Sequence, residues 1–128
     1  MKALAALLLL AAAPVQAASL TVKTGETWAF VLRNGHPVGA HKVAASTKPD
    51  KGQIVVSVRG VMGTTMIVTN NSPIAYTFRA KLLQGGKAVA ARPCTLPANG
   101  KPIFEQWKEK ADAVRLSRFE RSDVDGLC

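Results

Sequence analysis

The chain has 128 residues, with 17 Lys and Arg against eight Asp and Glu, for a formal net charge of +9. That length fits one compact core and leaves no composition shift or linker to mark a second domain. Two His, and acids concentrated from Glu105 onward among interleaved bases, give no convergent set for general acid–base catalysis, so no enzymatic activity and no cofactor are expected.

Met1-Lys2 sets a positive charge ahead of an unbroken Leu/Ala run, Ala3 to Ala13. Pro14 then breaks any helix, and Val15-Gln16-Ala17 places compact residues at a cleavage position. The 11-residue run is too short to cross a hydrocarbon core of about 30 Å as a helix. Residues 1–17 are therefore expected to be a cleaved export signal. Residues 18–128 then form a single periplasmic or secreted domain without a transmembrane segment.

After the signal, period-2 patterning dominates. Leu20 and Val22 alternate with Thr21 and Lys23, and Gly25 marks a turn. Trp28, Phe30 and Leu32 share one face of the next stretch. Asn34-Gly35 follows as a hairpin signal, because both positions tolerate positive φ. The return strand is expected from about Val38 to Ala45, with Pro37 confining its start to a sheet edge. Thr47 to Gly52 is a polar turn cluster. Ile54 to Val58 reads as a strand covered on both faces. Met66 and Val68 alternate with Thr65, Ile67 and Thr69 up to the turn run Asn70 to Pro73. Ile74, Tyr76 and Phe78 begin another strand, which runs to Leu83 and the turn pair Gly85-Gly86, and Lys87 to Ala91 completes the hairpin. Phe104, Trp107, Ala111 and Val114 have helical spacing, so a short helical turn or loop is expected around Phe104–Lys110, then a last strand from Ala113 to Phe119. Seven strands at spacings of about 8 to 14 residues, with no long helical segment between them, predict a small all-β two-sheet sandwich, of about seven to nine strands when uncertain ends are allowed.

The stretch from Ser19 to Gly35, with His41 beyond it, resembles the opening strands of cupredoxins: a strand, a Gly-Glu turn, a second strand and an Asn leading to a His. Cys94-Thr95-Leu96-Pro97 is similar to the start of that family's Cys-containing ligand loop. The resemblance implies a cupredoxin-like or, more broadly, immunoglobulin-like β-sandwich. A type-1 copper centre needs a second His and usually a Met close after the Cys, and residues 95–128 contain neither. The implication is a fold and not a working blue-copper site. A different metal site, built from His36, His41, Met62 and Met66, is the alternative reading, a copper-handling one. Its structural counterpart is histidines on a hairpin surface and methionines filling core or loop space.

Cys94 and Cys128 are the only cysteines. In an oxidising compartment they are expected to form a disulfide, closing a loop of about 35 residues; a thiolate metal ligand, an intermolecular bridge through Cys128, or a Cys94 nucleophile paired with His36 or His41 are the competing readings. Asp123 to Gly126 lacks the later ligands of a calcium loop.

The charge is unevenly placed. From Ala18 to Lys101, 11 bases face only Glu26 and Asp50; beyond them five bases meet six acids. Arg33, Arg59, Arg79, Lys81, Lys87 and Arg92 lie on strands or hairpin ends and are the candidate anion-binding residues. Arg79 and Lys81 share a face by period 2. With so few aromatics, a stacking platform for nucleic acid is not indicated. The sequence therefore predicts an exported, non-catalytic binding or structural module whose basic surface meets an anionic envelope surface or an acidic protein, against the plainer reading of a solvated basic face.

Overall fold

The computed structural model describes residues 19–123; the expected export signal and Cys128 lie outside them. Nine strands follow in order: β1 (Ser19–Lys23), β2 (Thr27–Arg33), β3 (His36–Lys42), β4 (Ile54–Arg59), β5 (Thr64–Asn70), β6 (Ala75–Gln84), β7 (Lys87–Ala91), β8 (Pro102–Trp107) and β9 (Ala113–Ser122). They form two antiparallel sheets, one in the order β1-β9-β6-β7 and the other β3-β2-β4-β5-β8. Among the described residues no helix is long and apolar enough to cross a membrane.

Alternation builds the sandwich. Leu20, Val22, Ala80, Leu82, Val114 and Leu116 turn inward from the four-stranded sheet. Phe30, Ile54, Val56, Val58, Met66 and Val68 meet them from the five-stranded one. Burying such side chains at about 1.5–3 kcal/mol each is what holds two sheets face to face. Phe119 anchors one end of this core. Its ring stacks on Phe78 at 5.3 Å between centroids, meets Tyr76 edge-on and lies 5.8 Å from Phe30. A register shift between Thr77 and Arg79 feeds Phe119 into that cluster. The extra residue, Arg118, takes a positive φ of 54°, the left-handed backbone that one class of bulge uses.

Asn34 and Gly35 both adopt positive φ and turn the β2–β3 hairpin as expected. A Cβ on Gly35 would stand 2.6 Å from the Phe119 carbonyl oxygen, so this turn also needs glycine for space. β4 is buried on both faces, Val55 and Ser57 included, which its β-branched run had indicated. β3 is an edge strand, as Pro37 required, but it begins at His36 and ends at Lys42. After it, only Val43 N–H continues the pairing, donating to Thr27 O.

One expected element is corrected. Where a short helical turn or loop was expected around Phe104–Lys110, the edge strand β8 runs to Trp107, paired with β5 from Thr69↔Pro102 to Thr64↔Trp107. The three-residue spacing of Phe104 and Trp107 imitates a helix. In the structure Ile103 is buried while Phe104 is 66 % exposed, so the true period is two. With β8 and the terminal strand β9 added to the seven segments read between Leu20 and Ala91, the described strands number nine, within the expected seven to nine.

Candidate anion-binding face

The outer face of the four-stranded sheet collects cations. On β6, Phe78, Ala80 and Leu82 are buried and Arg79 and Lys81 point to solvent. On β9, Arg115 and Ser117 alternate outward between Val114, Leu116 and the bulge. Register then sets Thr21, Arg115, Lys81 and Ala90 side by side across β1, β9, β6 and β7, with Ser19, Ser117 and Arg79 on the neighbouring rung. Arg115 and Lys81 are direct cross-strand neighbours, a distance of about 4.5–5.5 Å between Cβ atoms. Arg79 follows Lys81 on the same face at about 6.8 Å along the strand. Where β7 leaves β6, a cleft of about 530 Å³ opens, lined by Phe78, Arg79, Ala80, Lys81, Ala90, Ala91, Arg92 and Pro93.

Like charges directly opposite one another destabilise a sheet unless something offsets them. Among the described residues the sole ion pair lies elsewhere, between Lys42 Nζ and Glu26 Oε2 at 3.2 Å. The nearest acid to the face in sequence, Asp112, accepts a hydrogen bond from Gly85 N–H at the hairpin end. Thr21, Ser117 and Ala90 border Lys81 and Arg115, leaving their head groups in reach of an incoming anion, while Glu120, opposite Thr77, shares a small cleft with Arg79 and Arg118 at the far end of the face.

Of the six basic residues singled out in the sequence, the structure brings Arg79, Lys81 and Arg92 together. Lys87 stands at the other end of β7, five residues from Arg92 and so about 17 Å away. Arg33 and Arg59 end β2 and β4, which run antiparallel, so they lie at opposite ends of the other sheet. Arg115 was missed. The alternation around it was visible, but its position opposite Lys81 depends on β9 inserting between β1 and β6, which no local signal announces.

The alternative metal ligands are dispersed. His36 and His41 sit at opposite ends of the edge strand β3, paired with Arg33 and Ala29. Met66 is fully buried on β5, three strands along from β3, and Met62 is 83 % exposed in the β4–β5 turn. β3 and β5 are about 14 Å apart at ordinary strand spacing. Among the described residues no three His, Cys, Asp or Glu side chains gather as a metal site.

Cys94 is half-buried between β7 and β8, its N–H donating to Glu105 Oε2 at 2.7 Å. That places it beside β8, the edge opposite β3, away from either histidine as a base. Its expected partner Cys128 lies outside the described residues.

The chain is thus an all-β two-sheet sandwich with a cationic outer face. No protein-family model, curated protein or solved structure matches it.

Proposed function

We propose that this chain is an exported, non-catalytic binding module of the cell envelope that engages an anionic partner through the outer face of its four-stranded sheet. The reading rests on one observation: Lys81 and Arg115 are paired across β6 and β9, flanked by Arg79 and Arg92, with no carboxylate bonded to them among the described residues. Such a cluster attracts anions over roughly 8–10 Å at physiological salt, and its cross-strand repulsion is relieved when one binds. The export signal expected at residues 1–17 places the module where lipid head groups, acidic glycans and acidic proteins are the available anions. The finer kinship, immunoglobulin-like or cupredoxin-like, belongs to this reading as well; its support is the pair of antiparallel sheets and the opening Asn34-Gly35 hairpin.

Retention of residues 18–128 on anionic liposomes and on an acidic glycan resin, across a salt series, tests the proposal. Retention should weaken steadily with salt. The double variant Lys81→Ala/Arg115→Ala should elute at markedly lower salt than Arg33→Ala/Arg59→Ala, although both lose two charges. Equal elution of the two variants, or indifference to salt, overturns it.

A further inference from the structure

The face described above ends at an open sheet edge. β7 pairs only with β6, and its register from Gln84↔Lys87 to Ala80↔Ala91 runs without irregularity. Gln84 and Lys87 close the two-residue Gly85-Gly86 turn and so exchange hydrogen bonds. By antiparallel alternation, Leu82–Val89 and Ala80–Ala91 do the same. The N–H and C=O groups of Ala88 and Ala90 therefore point away from the sheet, as a template for a further strand.

The other three edges differ. β3 contains Pro37 and a positive-φ Gly39, β8 opens on Pro102, and β1 carries one cation, Lys23, whose N–H and C=O are both bonded to Glu26. β7 has neither proline nor bulge, and Ala88, Ala90 and Ala91 give it short side chains. Its two ends are cationic, Lys87 at the turn and Arg92 after the last rung. This charge pattern selects the occupant. A two-fold pairing of β7 with a second copy, bonded through Ala88 and Ala90, would bring Lys87 close to Arg92 of the copy, inside a contact between two strongly basic chains, so self-association is disfavoured. An acidic strand meets the opposite situation. Its outward carboxylates would pass over the Ala90 methyl group to Lys81 one strand in, while its ends meet Lys87 and Arg92.

We infer that β7 is a docking edge for an acidic polypeptide segment, which adds to the four-stranded sheet as a fifth strand and places its carboxylates on Lys81 and Arg92. Strand addition supplies the main-chain bonds, and the cationic flank supplies the selectivity. This deepens the anion-binding reading and rests on it.

The test uses residues 18–128 and two blocked hexapeptides of alternating Glu and Val, one plain and one N-methylated throughout. The second keeps the charge and lacks strand donors. The plain peptide should bind about tenfold tighter or more, the loss expected for one or two hydrogen bonds, and should protect the Ala88 and Ala90 amides from hydrogen exchange. Ala88→Pro, which lies outside the cationic cleft and whose N–H faces solvent and is thus replaceable at an edge, should bring the plain peptide down to the N-methylated one. Retention on anionic vesicles should stay unchanged. Equal binding of the two peptides to the wild-type chain, with both amides unprotected, overturns strand docking and leaves the anion-binding face standing. Failure of peptides, vesicles and acidic glycan alike to bind at low salt overturns both.

Discussion

The Glu26 carboxylate accepts hydrogen bonds from the Trp28 indole N–H at 3.0 Å and from the Lys23 amide at 3.1 Å, and it pairs with Lys42. These partners, the indole foremost, favour the ionised form and hold its pKa down to about 2 from an ordinary 4.5. The unfolded chain binds this proton more readily than the folded one, so the contribution to stability is complete above about 4.5 and fades as pH falls through about 2. Urea midpoints measured between those limits should fall with pH in the wild type and decline less steeply in Glu26→Gln; identical slopes would show that the contacts have no bearing on stability. The turn at Gly25 was legible in the sequence. The arrangement that joins Trp28, Lys42 and Glu26 was not, because it depends on β3 folding back so that Lys42 stands opposite Trp28.

Asn70 belongs to the next scale, because it joins elements. It is fully buried at the end of β5. Its Nδ2 donates to Ile74 O at 2.7 Å and to Pro97 O at 3.2 Å, while its own carbonyl accepts from Gly100 N–H. Together these bonds fasten the segment between β7 and β8 to the five-stranded sheet. Asn70→Ala removes the amide donor from the Pro97 carbonyl and leaves Ile74 O with the Ser72 hydroxyl alone, and should cost about 1–3 kcal/mol, read as a fall in Tm of several degrees; an unchanged Tm would show that water replaces the amide fully. Sequence reading recognised Asn70 to Pro73 only as the end of a strand, since the long-range half of the role belongs to Pro97 and Gly100. Gly63 does similar work in the β4–β5 turn. Its φ is +100°, and a Cβ would collide with the carbonyls of Trp107 and Lys108, just where β8 ends. Gly25 has nearly the same φ, +97°, in open space. Gly25→Ala should therefore show the backbone strain alone, about 1–3 kcal/mol, and Gly63→Ala distinctly more in parallel urea melts. Equal losses would mean that β8 moves aside freely. The same contrast explains the misread strand: β8 exists because β5 and this turn receive it, whereas its own spacing of Phe104 and Trp107 suggests a helix.

At the level of the whole molecule, what could be read from sequence was whatever depends on neighbours along the chain. Alternation located β1, β2 and β4 to β7, and Asn34-Gly35 and Gly85-Gly86 located two hairpins. What could not be read was adjacency between distant strands: Arg115 beside Lys81, or Phe119 among Phe30, Tyr76 and Phe78. The basic excess was likewise visible as a number, and only the sheet order turned part of it into a face.

That order has a temporal consequence. β9 is the last of the described strands and lies between β1 and β6, so each of them borders a gap until residues 113–122 are present. A chain delivered N-terminus first, whether from a ribosome or through a membrane channel, can form the β2–β3, β4–β5 and β6–β7 hairpins early. It cannot close the sandwich until residues 113–122 emerge, and pairing residue 19 with residue 117 makes that closing step a slow, long-range one. The topology thereby leaves the four-stranded sheet open for most of synthesis, and the cationic face comes into being only when residues 113–122 take their place in it.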